Sequence, residues 1–515
     1  MRPSSSKSPA GKLFSDSLLD TRDFTITYEL VPGKAAGGSR LKRLLKFAEQ
    51  AKRDGRIKAL SITDNAGGHP ALAPIALGTE IRKIGIEPLI HFSLKDKNRN
   101  QIKSHILLYH RREFHSLLVM GGDFPRSGYY GQAKPVFDLD SVQTLRLFTD
   151  MRGEISPQED GQESPPDTRD HHFLLGCVVS PFKTTAAEQL WQYQKLQGKI
   201  LAGADFVITQ LGYDLRKFDE LIRFCRRVGI SVPLLGNVFI PSLEVARYMH
   251  KGGVPGVVLS QEFTAAMERE SRLPDRGEEA RLTRAARLIA ELRKQGYAGV
   301  HIGGNHLDFD KIRLVLDRAE DFYTENGSGD ILFHFPVQET WYYFRPAATS
   351  TENSDIPAQA PSPQRLQLSY LANSVIHHLL FSGSGPVSKF FAAFCRFCSR
   401  GKRRTQCLTL LERIIKVILF SCRMCGDCTL MYSGYLCPQS GCPKNLLNGP
   451  CGGSRFGKCE VHPDRLCFYV RLAGRVQPHC TTTGHLSRPI LPPKDWSLDQ
   501  SSSWINHFRR QPKDN

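Results

Sequence analysis

The chain has 515 residues, of which 40% are hydrophobic and 23% are charged, and its formal net charge at pH 7 is +18. This size excludes a small disulfide scaffold and predicts two or three domains with hydrophobic cores. The positive charge is compatible with a nucleic acid, an anionic membrane surface, an acidic partner or an anionic ligand. Because the basic residues are spread along the chain, we expect mainly a solvated basic surface.

The sequence shows no signal for export or for membrane insertion. Residues 1–12 are rich in Ser and Pro and lack the apolar run of a signal peptide. The apolar stretch at 414–420 is interrupted by Lys416 and is too short to span a bilayer. We therefore predict a cytoplasmic protein without a membrane span, in which the thiols stay reduced.

Short apolar, β-rich runs alternate with amphipathic helical patterns from Phe24 onward. Eight such runs predict an α/β fold, a (β/α)8 TIM barrel, with a doubly wound open sheet as the alternative. The predicted strands are 24–29, 59–63, 87–91, 115–121, 173–179, 206–209, 232–236 and 299–303.

Several of these runs end in polar residues. In a barrel such residues meet at the C-terminal face, where barrel enzymes carry their active sites. Each one alone is compatible with an ordinary turn or a hydrogen-bonded core residue, so the prediction depends on the group. Its members are Glu29, Thr63, Asp64, Asn65, His91, Gly122, Asp123, Ser180, Thr209 and Gln210.

Composition divides the chain into domains. An acidic, Pro-rich stretch at 154–170 predicts a disordered and dispensable insertion, and a stretch rich in Pro, Ala, Ser and Thr predicts a linker. The predicted divisions are an N-terminal disordered tail (1–22), a barrel (23–344), a linker (345–364), a Cys-rich C-terminal domain with α-helices (365–485) and a tail (486–515).

Eight of the fourteen cysteines lie between Cys422 and Cys467, among Gly and Pro turns. Cys-x2-Cys-x2-Cys at the start of this region can place three thiolates around one iron–sulfur cluster, with a later cysteine as the fourth ligand. The same thiols could form zinc sites, for example by pairing the first two cysteines with Cys437 and Cys442. The predicted metal ligands are Cys422, Cys425, Cys428, Cys437, Cys442, Cys451, Cys459 and Cys467.

A weaker signal precedes this region. Cys395 and Cys398 have a ligand-like spacing but no obvious partners, so the sequence leaves open whether they bind metal. The basic run at 400–404 predicts a solvated loop.

The barrel segment resembles the methylenetetrahydrofolate reductase family from about Phe24 to Leu316. The resemblance is carried by Tyr28-Glu29, Ser61-Ile-Thr-Asp-Asn65, Leu118-Val-Met-Gly-Gly-Asp-Phe-Pro125 and Lys199-Ile-Leu-Ala-Gly-Ala-Asp-Phe-Val-Ile-Thr-Gln210. Cys-Pro-Lys-Asn followed by Asn-Gly-Pro-Cys-Gly-Gly resembles the Cys-rich C-terminal domain found with this family.

The resemblance implies a flavin, FAD or FMN, and specific site residues. Glu29 matches the family's general acid, for which burial near flavin and pterin would raise the pKa. Asp123 matches the aspartate near flavin and pterin, and Gln210 matches a folate-binding side chain. Flavin contacts are implied for Thr63, His91, Gly122, Asp123 and Lys199, with the last suited to a phosphate.

The sequence departs from the family at three positions. Gly121 stands where an arginine is frequent, Ser180 where a tyrosine is expected, and Leu243 where an aromatic residue stacks the nicotinamide nucleotide. The last departure weakens the prediction of direct NAD(P)H use and favours a ferredoxin-like donor that docks on the Cys-rich domain.

We therefore predict flavin-dependent reduction of 5,10-methylenetetrahydrofolate to 5-methyltetrahydrofolate, by an oligomer. The alternatives are a basic zinc module that binds nucleic acid on a degenerate barrel, and a structural subunit of a redox complex. The nucleic-acid alternative lacks an aromatic stacking pattern and leaves the polar strand ends unexplained.

Overall fold

The computed structural model describes residues 13–125, 131–155, 173–304, 307–324, 333–348, 351–359, 368–383, 385–476, 491 and 493–510. Eight parallel strands pair in chain order, and β8 pairs back with β1 to close a barrel. Closure confirms the (β/α)8 prediction and excludes the open sheet. The strands are β1 (Thr25–Leu30), β2 (Ile57–Ile62), β3 (Glu87–Ser93), β4 (Ser116–Met120), β5 (Leu174–Val179), β6 (Phe206–Thr209), β7 (Leu234–Ile240) and β8 (Gly299–Gly304).

Helices surround the barrel, and the connection between β7 and β8 contains three of them. They are α1 (Phe14–Leu19), α2 (Ser39–Asp54), α3 (Pro74–Ile84), α4 (Arg99–Arg111), α5 (Ser141–Ile155), α6 (Ala186–Leu201), α7 (Leu215–Arg227), α8 (Leu243–His250), α9 (Gln261–Glu270), α10 (Glu278–Gln295) and α11 (Phe309–Thr324).

The alternation of side chains along each strand separates the helix-packed core from the barrel interior. On β1, Tyr28 faces the helices and stacks on Phe47 of α2, with ring centroids 4.3 Å apart. Thr27 lies opposite His301 of β8, and Glu29 lies opposite Ser61 of β2. Polar residues at alternate positions therefore converge inside the barrel near its C-terminal end.

The N-terminal end of the barrel is closed by α1, which the sequence prediction assigned to a disordered tail. Phe14 and Leu18 are buried against interior residues of the strands, and the Phe14 ring meets Phe206 edge-to-face at 5.6 Å. The prediction is wrong for this segment because two apolar residues, four positions apart, gain their burial from the barrel. Residues 1–12 of the predicted tail lie outside the described residues.

Part of the predicted linker is also ordered. Strands β9 (Phe344–Pro346) and β10 (Asn353–Pro357) pair antiparallel beside α7. Asn353 donates to Asp219 at 2.9 Å and accepts from Arg216 at 2.8 Å. These side-chain bonds hold an extended segment that has no apolar periodicity. Residues 349–350 and 360–364 lie outside the described part.

The C-terminal module, defined here as the described residues from 368 to 510, contains helices and a long irregular cysteine region. Its last helix lies in the predicted tail, where Ile505 and Phe508 pack against Cys395, Cys398 and Leu408. The prediction of a tail at 486–515 missed the apolar face of this short helix. The helices are α12 (Leu368–Phe381), α13 (Pro386–Ser399), α14 (Lys402–Phe420), α15 (Pro438–Gly441), α16 (Phe468–Ala473) and α17 (Ser503–Arg510).

Two further sequence predictions concern the insertion at 154–170 and the lack of a membrane-spanning segment. Of the predicted insertion, residues 154–155 end α5, and 156–170 lie outside the described residues. Among the described helices, none has both the length and the hydropathy required to cross a bilayer.

Candidate active site at the mouth of the barrel

A cavity of about 300 Å³ lies at the C-terminal ends of the strands. One side is formed by barrel residues and the other by the C-terminal module, which lies across the mouth. The module contributes Lys444, Leu446, Pro450, Cys451, Gly452, Gly453 and Glu460 to the lining.

Glu29 shares the floor of this cavity with two histidines. Nδ1 of His301 lies 2.8 Å from the hydroxyl of Thr27, which orients the ring so that Nε2 is 3.8 Å from the carboxylate of Glu29. Candidate ligand atoms of Glu29, His91 and His301 all lie within 4.8 Å of one another. Such a group can pass a proton, and its spacing would also accept a metal ion.

The two histidines and burial act in opposite directions on Glu29. Burial raises the pKa of Glu29, but the nearby imidazoles of His301 and His91 lower it by more, so the net pKa is below its ordinary value. Burial lowers the pKa of His91 to about 4, so that imidazole is neutral at pH 7. The raised pKa expected for Glu29 is therefore not found, because His301 lies beside it.

The loop after β4 brings Asp123 to the cavity. Gly122 has φ +78°, and a Cβ there would lie 2.1 Å from the Ser93 hydroxyl, so only glycine fits. The carboxylate of Asp123 accepts the N–H of Gly67 at 3.0 Å. Burial and the neighbouring Glu460 raise the pKa of Asp123, against the opposing charge of Lys444.

A buried ion pair from the module holds the same loop. Lys444 donates to Glu460 at 2.6 Å and to the carbonyl of Gly122 at 2.9 Å, and both charged side chains are 3% exposed. Glu460 also accepts the N–H of Phe124 at 2.9 Å. The pair therefore joins the module to the loop that carries Asp123.

Two lysines of the barrel bind backbone carbonyls of the module. Lys183 donates to Gly452 and Ser454, both at 2.6 Å, and Lys195 donates to Gly449 at 3.0 Å. A third, Lys199, lines the cavity and donates to the Val178 carbonyl of β5. Burial lowers the pKa of Lys199 to about 8.

Several buried polar atoms facing the cavity make no hydrogen bond within the described residues. They are Nε2 of His91, the hydroxyls of Ser93 and Ser180, and Oδ1 of Asn237. Unpaired buried groups cost free energy, so this arrangement suits a bound group that supplies donors and acceptors. Gln210 uses its Oε1 to accept the N–H of Leu211, which directs its own amide N–H groups elsewhere.

The eight predicted metal ligands fall into two groups of four. Electrostatic interactions join Cys422, Cys425, Cys428 and Cys437. A second set of electrostatic interactions joins Cys442, Cys451, Cys459 and Cys467. We call these sets the first and second quartets.

The distances between the thiols, and the position of one of them in the cavity, bear on which metal they could bind. Among the described residues, Glu29, His91 and His301 form the only group with three candidate ligand atoms within 4.8 Å of one another. Four thiolates around one zinc would lie about 3.8 Å apart, given a Zn–S bond of about 2.3 Å. Cys451 of the second quartet lines the cavity, 3.7 Å from the carboxylate of Glu460.

Cys395 and Cys398 lie on the buried face of α13, in an apolar cluster with Ala392, Leu408 and Phe508. Burial raises the pKa of Cys395 to about 12, which keeps the thiol protonated. Their surroundings are those of core residues rather than of ligands.

The cavity brings together all the barrel residues that the sequence singled out: Glu29, Thr63, His91, Gly122, Asp123, Lys199 and Gln210. Leu243 is absent from the lining and packs on the barrel core. Sequence reasoning missed His301 and Asn237, which lie inside or just beyond predicted strands. It also missed the positions of Lys444 and Glu460, for which a single sequence carries no signal.

Comparisons with known proteins agree with the resemblance. The family model described as "Methylenetetrahydrofolate reductase" matches residues 15–307, and the one described as "Methylene-tetrahydrofolate reductase C terminal" matches residues 402–497. The first match covers more than half of the chain.

Curated relatives carry similar names. A probable methylenetetrahydrofolate reductase (NADPH) of Caenorhabditis elegans is 22% identical over 43% of this chain and 31% of its own length. Methylenetetrahydrofolate reductase 1 of Schizosaccharomyces pombe is 21% identical over 57% of this chain and 45% of its own. A probable methylenetetrahydrofolate reductase (NADH) of Oryza sativa is 34% identical over 40% and 34%. The chain thus spans less than half of the length of these relatives.

A solved structure gives a weaker match. An uncharacterized protein from Clostridium thermocellum that binds two copies of 5-methyl-5,6,7,8-tetrahydrofolic acid aligns with 61% of this chain and 99% of its own, at 14% identity and a TM-score of 0.40. At that score the likeness carries no argument about this chain.

Proposed function

The chain belongs to the methylenetetrahydrofolate reductase family, and from this premise we propose that it reduces 5,10-methylenetetrahydrofolate to 5-methyltetrahydrofolate. The observation that carries the proposal is the convergence of Glu29, Asp123 and Gln210 with Thr63, His91 and Lys199 in one cavity at the barrel mouth. A degenerate scaffold or a purely structural subunit would not require such a convergence of buried polar groups.

The residues around the cavity fit a flavin. The unpaired atoms of His91, Ser93, Ser180 and Asn237 can bond to the polar edge of a ring system, and Lys199 can balance a phosphate. When bound and reduced, the flavin supplies the hydride for the one-carbon unit.

Glu29 and His301 are placed to supply the proton that opens the folate ring. The ring nitrogen leaves only if it is protonated, which exposes an iminium carbon. We infer that Glu29 supplies this proton. Filling the cavity excludes water, which favours the neutral carboxylic acid over the carboxylate.

Asp123 and Gln210 would hold the pterin. The raised pKa of Asp123 allows its carboxyl to donate as well as accept a hydrogen bond. The free amide N–H groups of Gln210 can donate to an oxygen or nitrogen of the substrate. Both line the same cavity as Glu29, so the three side chains can fix one orientation of the folate.

For the module we propose an iron–sulfur cluster in each quartet, rather than zinc. The division into two sets of four thiols supports this assignment. Such clusters transfer single electrons, and the second quartet reaches the cavity through Cys451.

The same geometry favours a donor that reaches the site through the module. The module lies over the mouth, and Leu243 offers no aromatic surface for a nicotinamide. We therefore propose that a ferredoxin-like donor delivers electrons to the module, in preference to direct binding of NAD(P)H at the barrel.

The test uses the full chain, purified without oxygen and supplied with methylenetetrahydrofolate. Reduced methyl viologen should drive formation of 5-methyltetrahydrofolate, measured by mass spectrometry. Cys451→Ser should abolish turnover with viologen. The same variant should still complete one turnover when its flavin has been chemically reduced beforehand. Absence of product with viologen, NADH and NADPH alike would contradict the reductase. Product from NADH that is unaffected by Cys451→Ser would contradict the relay alone.

A further inference from the structure

The first three helices of the C-terminal module expose apolar residues on a large scale. Leu368 of α12 is 84% exposed, Phe390 of α13 is 76% exposed and Ile418 of α14 is 77% exposed. Monomeric proteins rarely leave contiguous apolar patches of this kind in water. The surface formed by these side chains is called here the outer face of α12–α14.

The exposed residues follow helical spacing, so they form stripes. On α13 the exposed stripe is Val387, Phe390, Phe394 and Phe397, whereas Ser388 is buried. On α14 the polarity is inverted: Leu410, Ile414 and Ile418 face outward, while Glu412 and Lys416 pair inside at 2.8 Å and bind Ser503 of α17. A helix that buries its ion pair and exposes its aliphatic face is stabilised when an apolar partner covers the exposed face.

The charge of the outer face has one sign. Residues 368–420 contain one acidic residue, Glu412, which is buried. They contain seven exposed Lys or Arg side chains, five of them between positions 396 and 404. The basic run predicted as a solvated loop is therefore part of a larger basic and apolar surface, and only its first two residues precede the helix.

The start of α14 adds an independent observation. Lys402, Arg403 and Arg404 occupy its first turn, with no acidic residue there and no side-chain cap from Gly401. Cations are unfavourable beside the positive end of a helix dipole, so this arrangement destabilises the isolated helix. The free N–H groups and three cations together would bind phosphate groups.

We propose that the outer face of α12–α14 binds an anionic phospholipid surface, with the helices lying in the plane of the membrane. Leu, Ile, Val and Phe beside Lys and Arg is the composition of helices that lie in a membrane interface. A second copy of the chain would bring like charges together. This proposal does not depend on the reductase activity.

Vesicle flotation of the full chain tests the proposal. The protein should float with vesicles that contain phosphatidylglycerol and remain behind with vesicles of phosphatidylcholine alone. Binding at both compositions or at neither would overturn it. Salt should weaken the binding without abolishing it, because apolar burial contributes as well.

Two sets of variants separate the charge from the apolar face. Replacing Lys402, Arg403 and Arg404 with Gln should weaken binding by about 10²-fold, since each cation near such a surface contributes about a factor of five. The matched control replaces Lys42, Arg43 and Lys46 with Gln; these are exposed on α2, carry the same charge, and should leave binding unchanged. Equal weakening by both sets would overturn the proposal.

The apolar variant replaces Phe394, Ile414 and Ile418 with Ser. All three are at least 41% exposed, so the fold should persist, as circular dichroism can verify. Flotation should be lost at every salt concentration. Unchanged flotation would overturn the proposal, and so would conversion of a wild-type oligomer into a monomer without vesicles, which would identify a second copy as the occupant.

Discussion

The barrel and the C-terminal module are stabilised by different kinds of contact. The barrel contains one continuous apolar core between its strands and helices. The described part of the module has two small apolar clusters, one of them shared with Trp191 of the barrel. The eight thiols of residues 422–467 lie in a segment, described throughout, whose only α-helix is α15. Apolar burial therefore dominates in the barrel, whereas the module has smaller apolar clusters and packs partly on the barrel.

The interface between the two regions shows the same contrast. Barrel lysines bind carbonyl oxygens of the module, and Asp140 accepts the N–H groups of Leu447 and Asn448 at 3.1 and 2.7 Å. These bonds hold main chain that has no regular structure of its own. The side of the cavity that this main chain forms can change its position, whereas the barrel residues of the cavity are held by strands.

Removing the proposed metal ligands should give the largest difference between the two regions. Replacing the first quartet with Ser should make residues 421–476 sensitive to protease while the barrel keeps its circular dichroism, because metal–thiolate binding supplies about 10–16 kcal/mol in small zinc modules. Equal protease resistance in the variant and the parent would show that the module folds without metal.

Glu29→Gln tests the barrel side. The variant should bind flavin and be reduced normally but form 5-methyltetrahydrofolate about 10²- to 10⁴-fold more slowly, since it lacks the proton donor. Stopped-flow measurement of flavin reoxidation by the folate checks this. Glu49→Gln, on the exposed side of α2, is the matched control. Turnover near that of the parent would remove Glu29 from the mechanism.

The buried ion pair tests the junction. Lys444→Met leaves Glu460 charged and unpaired, which should lower the free energy of opening of the module by about 3–5 kcal/mol. Hydrogen exchange at 444–460 measures it. The double variant with Glu460→Gln should recover much of the loss, and Lys83→Met, whose partner Glu80 is exposed, should change little. No change in Lys444→Met would show that the module opens elsewhere.

A smaller effect is expected from pH. Lys199, with its pKa near 8, is charged below that pH and loses its charge as the pH rises. Flavin phosphate needs the charged form, so the dissociation constant should rise about tenfold per pH unit above 8. Fluorescence titration checks this, and Lys199→Met should bind weakly with no such step. A pH-independent constant in the parent protein would exclude the contact.

Deleting residues 156–170 should have the smallest effect. The acidic, Pro-rich composition cannot form a core, and loop length has a small effect on stability. Thermal unfolding and flavin binding should match those of the parent. Loss of either would mean that this segment contributes to the barrel.

The sequence predicted the barrel because each strand is an apolar run followed by a helical pattern. Six of the seven predicted cavity residues follow from strand ends meeting at one face of a barrel, and Lys199 came from the family resemblance. His301 was missed because a histidine within an apolar strand resembles a core residue. The lowered pKa of Glu29 could not be predicted either, since it results from that neighbour on β8, 272 positions away along the chain.

The remaining errors come from contacts distant in sequence. Phe14 and Leu18, Asn353, and Ile505 and Phe508 lie in segments whose composition favours irregular structure. Each gains its order from a partner element. The position of Cys451 in the cavity has the same origin, because only the docking of the module places a cysteine beside Asp123.

An electron-transferring module over a flavin-dependent barrel should carry flavin, iron and acid-labile sulfide in the same molecule. Measurement of these three and of zinc in the full chain, purified without oxygen, checks this. We expect flavin, with iron and sulfide in similar amounts to each other, and Cys425→Ser and Cys451→Ser should each remove about half of the sulfide. Stoichiometric zinc without sulfide, or a colourless protein without flavin, would rule out this arrangement.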